Sequence, residues 1–183
     1  MTDISKTRIL IMATDGFEQS ELEVPRDELR TAGAIVEIAS PGGNAIRGWK
    51  DGDWGETVQV DRTIAEVDAG VYHALVLPGG QINPDRLRTE EAAVKLVQAF
   101  HDAGKIVAAI CHGPWLLVEA GVAKGRRMTS YNSIRTDLEN AGVIWEDQEV
   151  VADRGLITSR SPDDLPAFCA KIVEEVREGA HSR

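Results

Sequence analysis

Residues 105–120 constrain the fold of this chain more than any other stretch. Lys105 is followed by the apolar run Ile106-Val107-Ala108-Ala109-Ile110, then Cys111-His112-Gly113-Pro114, then Trp115-Leu116-Leu117-Val118-Glu119-Ala120 and Gly121. An unbroken apolar run of this length, mostly β-branched, predicts a strand buried on both faces, the pattern of a central parallel strand. Gly113-Pro114 turns the chain, Pro114 pre-sets φ for a first helical position, and Gly121 supplies a helix stop. Cys111 and His112 therefore fall at a sharp strand-to-helix corner, the geometry of a nucleophile elbow. A thiol there feels a helix N-terminus and free backbone N–H groups, both of which favour thiolate. Cys111 is expected to be exposed and to titrate below an ordinary cysteine.

The rest of the chain supplies partners for that strand. Arg8 to Ala13 predicts a buried strand, Glu21 to Ala32 a helix closed by Gly33, and Ile35 to Ala39 another strand. Ser40 to Gly55 carries Pro41, five glycines, Trp49 and Trp54; it is read as a long loop that packs on the domain or on a partner subunit. Thr57 to Val60 is expected as a short edge strand and Ile64 to Val67 as a helical turn. Ala74 to Leu77 is a further apolar strand, cut off by Pro78-Gly79-Gly80, with a helix following over about Glu90 to Ala103. Beyond the elbow, Arg127 to Ser130 predicts a short strand and Ile134 to Asn140 a short helix. Glu149 to Ala152 and Leu156 to Ser159 predict a hairpin about Asp153-Arg154-Gly155. Ser161 caps the last helix, which aligns Leu165, Phe168, Cys169, Ile172, Val173 and Val176 on one stripe and so assigns Cys169 to the core. Strands alternating with helices give an α/β fold with a mostly parallel sheet covered on both faces. At 183 residues the chain is read as one domain over 1–183, its core between about residues 8 and 177.

Ligands of such sheets bind beyond the carboxyl ends of the strands. Three loops leave that edge, carrying Glu18, then Gly80 with Asp85, then Cys111 with His112. Of the four histidines, His73 starts a strand at the opposite edge, His101 lies near a helix end and His181 in a polar tail; only His112 is placed beside the thiol by the chain itself. A histidine base needs an orienting acceptor, for which Glu18 and Asp85 are the candidates. An ionised Glu18 would raise the thiol by repulsion, so Glu18 is assigned to tuning the thiol as a protonated donor and Asp85 to orienting His112. The N–H groups of Gly80 and His112 are the candidate oxyanion donors.

A formal net charge of −10 argues against a nucleic-acid surface. No apolar run reaches the length of a membrane span, and no signal region precedes the first strand, so a cytoplasmic protein without a membrane partner is expected. Cys111 and Cys169 form neither a disulfide framework nor metal spacing, and no G-x-G-x-x-G or Walker motif occurs. Neither a cofactor nor a metal is expected.

The segments Asp15-Gly-Phe-Glu18-Gln-Ser-Glu21-Leu-Glu-Val-Pro25, Leu75-Val-Leu-Pro-Gly-Gly80, Ala109-Ile-Cys-His-Gly-Pro114 and Thr129-Ser-Tyr131 resemble the PfpI intracellular protease family, within the superfamily of the parkinsonism-associated deglycase. The resemblance runs from about residue 8 to residue 177. It implies a flavodoxin-like three-layer sandwich and a homo-oligomer, a dimer or a hexamer. It implies Cys111 as nucleophile, Glu18 as its hydrogen-bond partner, and an acid from a neighbouring subunit that completes a Cys-His-acid triad. That acid is typically Glu in the protease; the matching residue here is the shorter Asp85. The activities associated with such proteins include peptidase, amidase, deglycase of glyoxal adducts, glutathione-independent glyoxalase and redox-responsive chaperone. The His-x-Glu pair of class-one glutamine amidotransferases has no counterpart, since no histidine lies between His112 and His181. The expectation is a cytoplasmic stress-response cysteine hydrolase or deglycase acting on small carbonyl or acyl substrates such as glyoxal adducts and methylglyoxal. An intracellular peptidase or amidase with a Cys-His-Asp triad and a redox-sensing, chaperone-like protein without turnover are the alternatives.

Overall fold

The computed structural model describes residues 2–179, so His181 lies outside the described residues. The chain opens with Arg8–Met12 (β1), then Phe17–Glu18 (β2), which runs directly into Gln19–Thr31 (α1). Ile35–Ser40 (β3), Ile46–Lys50 (β4), Asp53–Val58 (β5) and Arg62–Thr63 (β6) follow, then Ala74–Leu77 (β7). Next come Ile82–Leu87 (α2), Glu91–Asp102 (α3), Ile106–Ile110 (β8) and Trp115–Glu119 (α4). Arg127–Met128 (β9), Arg135–Asn140 (α5), Ile144–Trp145 (β10), Val151–Asp153 (β11), Leu156–Ser159 (β12) and Leu165–Glu178 (α6) complete it.

Among the described residues the main sheet has seven strands in the order β11-β12-β8-β7-β1-β3-β6. Its neighbours are parallel except for the β11–β12 hairpin. Alternation along the strands decides which layer each side chain joins. Ile9 and Ile11 pack with Leu22, Leu29, Phe168 and Ile172 under α1 and α6. Leu10 and Met12 point the other way and pack with Val97, Phe100, Leu116 and Leu117 under α3 and α4. The result is the flavodoxin-like α/β sandwich expected from the sequence. The chain moves from β1 out to β3, then returns to the other side of β1 with β7. The strand order thus reverses between β1 and β7, and a crevice opens above their carboxyl ends next to β8. Among the described residues no helix is long and apolar enough to cross a membrane.

The stretch from Ser40 to Gly55, expected as a loop, contains the first strand and the first half of the second strand of a hairpin. Asp51 and Gly52 form its two-residue turn, both with positive φ, 52° and 84°; an Asp-Gly pair of this kind matches the twist of the flanking strands. The hairpin forms a small three-stranded sheet with β2, Phe17 opposite Gly48 and Glu18 opposite Trp49. It therefore packs on its own domain. Helix α2 was also hidden, because Asn83-Pro84 suggests a loop; Pro84 sits in the first turn, where its missing N–H does no harm. Ser161 makes no side-chain cap. The chain enters α6 through a 3₁₀ turn, Pro162–Asp164, and the Asp164 carboxylate takes the Arg160 backbone N–H at 3.0 Å and its guanidinium at 2.8 Å.

The stripe on α6 is a core face: Leu165, Phe168, Cys169, Ile172 and Val176 are buried and Val173 is partly so. Phe168→Ala is expected to lower the unfolding free energy by roughly 3–5 kcal/mol. Urea denaturation followed by far-UV circular dichroism measures this; a loss under about 1 kcal/mol would mean that α6 does not hold the α1 face of the sheet.

Candidate active site

The corner after β8 is held from both sides. The N–H of Cys111 donates to Ser159 O on β12 at 3.0 Å, and its carbonyl accepts the N–H of Tyr131 at 2.9 Å. Between these anchors Cys111 takes φ 63°, the left-handed region, which is strained for a residue with a side chain. The turn closes with the Gly113 N–H donating to Ile110 O at 2.8 Å; a Cβ at Gly113 would stand 2.6 Å from Leu77 O, so only glycine fits. Helix α4, which follows, has five residues. So short a helix carries little of the macrodipole on which a lowered thiol pKa was expected to depend.

The thiol is not open to solvent: Cys111 is 6% exposed. Burial and the neighbouring Glu21 carboxyl push it up, against a downward pull from the N–H groups of Gly80 and His112, which both donate toward the sulfur. The structure thus reverses the two expectations drawn from the elbow, exposure and a low pKa.

The carboxyl against the sulfur belongs to Glu21, not to Glu18. Glu21 is wholly buried, and its Oε2 accepts the N–H of Gly79 at 2.7 Å. Its Oε1 has no conventional hydrogen-bond donor. Burial pushes the Glu21 carboxyl up to about 8, so it keeps a proton at neutral pH and can donate it toward the sulfur. Two acids in contact share their titration: the last proton leaves the pair only well above the usual thiol range. Glu18 lies at the rim of the same cleft, half-buried, raised by burial and by Asp51 and hydrogen-bonded to Ser20. Glu18 is the acid of the loop expected over Asp15 to Ser20, but the helix begins at Gln19 and the acid of its first turn, Glu21, is the one that is buried against the sulfur. The missed signal is its spacing with Pro25 and Leu29, an acid on the buried stripe of an amphipathic helix.

His112 is 4% exposed and burial lowers its pKa, so the ring is neutral. Its Nδ1 lies 3.1 Å from the Cys111 Sγ and its Nε2 lies 3.2 Å from Ser133 Oγ. The ring stacks on Tyr131, centroids 5.0 Å apart and planes 25° apart, and meets the edge of Trp115 at 5.2 Å. Asp85 stands exposed on α2, at the mouth of a second cleft that it shares with His112, Ser133 and Asp137. Both ring nitrogens of His112 are taken by groups other than Asp85. Glu21, Ser133 and the covering role of Tyr131 escaped the reading of the sequence.

Above the sulfur lies a cleft of about 400 Å³ walled by Glu18, Glu21, Trp49, Gly80, His112 and Tyr131. Gly80 has φ 79°, and a Cβ there would come within 2.5 Å of Gly16 O; its bare backbone lets the N–H approach the sulfur. Trp49 is brought to the rim by the β4–β5 hairpin and meets Trp54 edge-on at 5.4 Å. Among the described residues no three His, Cys, Asp or Glu side chains are grouped to hold a metal ion.

The profile of the DJ-1/PfpI family matches residues 7–175. The chain is 45% identical over 164 residues to protein/nucleic acid deglycase 2 of Escherichia coli, covering 88% of this chain and 92% of that protein. It is 44% identical over 167 residues to deglycase PfpI of Pyrococcus furiosus, covering 91% and 98%. Among solved structures, Drosophila melanogaster DJ-1beta superposes with a TM-score of 0.86 at 32% identity, over 94% of this chain and 91% of that one.

A raised Glu21 makes stability fall with pH. Its contribution is fully present below the unfolded value of 4.5, because both states then hold the proton, and it is lost as pH rises toward about 8, where the folded chain also ionises. By pH 7 the loss is about 3 kcal/mol, at about 1.4 kcal/mol for each pH step. Glu21→Gln keeps an acceptor for Gly79 and does not titrate. Its urea midpoint is expected to exceed that of the wild type at pH 8 by clearly more than at pH 5. Parallel pH dependences of the two proteins would show that Glu21 ionises normally in the fold.

Proposed function

The chain belongs to the DJ-1/PfpI family, and on that premise we propose that it is a cysteine hydrolase of the deglycase kind, acting through Cys111 on small carbonyl or acyl substrates such as glyoxal adducts and methylglyoxal. One observation carries the reading: a cysteine at a left-handed strand-to-helix corner has an imidazole nitrogen 3.1 Å from its sulfur and two backbone N–H groups converging on it, at the floor of a small cleft. The thiol proton passes to Nδ1 of His112 as sulfur bonds to the carbonyl carbon, and the π electrons move onto the carbonyl oxygen. The N–H groups of Gly80 and His112 hold that oxygen. On an acyl substrate the imidazolium returns that proton to the leaving group as the tetrahedral adduct collapses to an S-acyl enzyme, and water then releases the acyl group as the acid and restores the thiol; Glu21 keeps its proton and its hydrogen bond to the sulfur. A cleft of about 400 Å³ suits a small adduct better than an extended peptide.

Purified protein is expected to consume methylglyoxal and to release amines from their early glyoxal adducts, but to leave casein intact. Cys111→Ser is expected to lower the rate on the order of a thousandfold or more. Casein cleavage that depends on Cys111, with no turnover of carbonyl substrates, would make the protein a peptidase instead. No turnover of either kind, with Cys111 readily oxidised by peroxide, would favour a redox role.

We also propose that the protein works as a homo-oligomer in which Asp85 of one copy serves the site of another. Its exposure at the cleft mouth beside His112 and Ser133 supports this. Asp85→Ala is expected to lose activity with the fold intact. Mixing it with Cys111→Ser under conditions where tagged pull-down demonstrates subunit exchange is expected to restore part of that activity. Exchange without recovery would place Asp85 within its own chain.

A further inference from the structure

His112 touches the nucleophile with one ring nitrogen and Ser133 with the other. For Nδ1 to take the thiol proton it must begin unprotonated, so the ring proton must sit on Nε2 and needs an acceptor there. Ser133 Oγ is placed 3.2 Å from Nε2. The hydroxyl is held in position on both sides. Tyr131, two residues before it, stacks on the imidazole and donates its N–H to the carbonyl of Cys111 at 2.9 Å. Ile134, immediately after it, is buried in the core under α3 and α4. Nucleophile, imidazole and hydroxyl are thus parts of one braced unit, although Ser133 itself is exposed.

We propose that Ser133 is a positioning residue for the reaction: it holds His112 in the tautomer with the proton on Nε2, and it links the imidazole to the carboxylates of the neighbouring cleft. When the thiol proton moves to Nδ1, the sulfur keeps the electron pair of the S–H bond and the ring becomes an imidazolium. Its Nε2–H then donates to Ser133 Oγ, and the serine hydroxyl can donate its own proton to a carboxylate. Asp85 and Asp137 both line that cleft, with Asp137 already accepting the Trp115 indole N–H at 3.0 Å. Asp137, which does not touch the imidazole, can in this way act on it through the hydroxyl. The inference rests on Cys111 being the reactive group, and not on which substrate it attacks.

Its test needs no substrate. The rate of Cys111 alkylation by iodoacetamide, read by peptide mass mapping, reports formation of the thiolate–imidazolium pair. A hydrogen bond to a charged group exceeds one to a neutral group enough to predict about a fivefold to tenfold slower alkylation in Ser133→Ala. Ser133→Thr keeps the hydroxyl and is expected to stay within twofold of the wild type. In protein labelled with ¹⁵N-histidine, with the His112 signals assigned by their loss in His112→Asn, the wild type is expected to show Nδ1 unprotonated and Ser133→Ala a shift toward the Nδ1–H tautomer. Unchanged alkylation and an unchanged tautomer in Ser133→Ala would overturn the proposal, as would equal losses in the Ala and Thr variants. If alkylation responds as expected while the wild type turns over neither methylglyoxal nor casein, the positioning role stands and the proposed function fails.

Discussion

Glu21 and Cys111 are two acids pressed together out of water, and the site depends on their not ionising together. Burial keeps a proton on the carboxyl to about pH 8, and a protonated carboxyl next to sulfur donates where an ionised one would repel. The neighbouring residues serve that arrangement. Gly79 and Gly80 have no side chains to wedge the loop away, so one N–H reaches the carboxyl and the next reaches the sulfur. Cys111 is bent into a left-handed conformation between two backbone anchors so that its sulfur meets both. The resting thiol is consequently neutral and shielded, and His112 Nδ1, 3.1 Å from the sulfur, is the acceptor in reach of its proton.

Much of this architecture was legible in the sequence because the deciding signals were local and strong. The apolar run before Cys111, the Gly113-Pro114 corner and the Pro78-Gly79-Gly80 stop fixed the central strands, their carboxyl-end loops and the place of the elbow. The failures came where a residue's direction depended on a helix or strand boundary. The first turn of α1, from Gln19, carries Glu21 on the buried stripe, whereas Glu18 just before it stays at the cleft rim. The hairpin was hidden because its glycines were read as loop residues, although Asp51-Gly52 is itself a turn signal. Ser133 had no local signal at all: it reaches His112 only because the chain returns across the end of the sheet 21 residues later.

The thiol's surroundings also correct a habit of inference. A helix N-terminus beside a cysteine suggests a lowered pKa, but a helix of five residues contributes little, and burial at 6% exposure outweighs it. The same burial neutralises His112, so the pair rests as thiol and imidazole rather than as an ion pair. Cys169 is buried to a similar degree, and its thiol is pushed up to about 12. What separates the two cysteines is the company each keeps: Cys111 has an imidazole nitrogen and two backbone donors at its sulfur, whereas Cys169, on the inner stripe of α6, borders a groove lined mainly by apolar side chains of α1 and α6.

The hairpin that carries Trp49 forms a small sheet with β2, and Ile46 and Val58 at its base anchor it in the core under α1. The roof of the cleft and its floor are therefore built from different sheets. Changes at the outer end of the β4–β5 ribbon, from Trp49 to Trp54, can reshape the cleft mouth without touching the buried Ile46 and Val58 or the strands that aim Cys111. A scaffold divided in this way leaves the shape of the cleft mouth and the aim of Cys111 to be set by different parts of the chain.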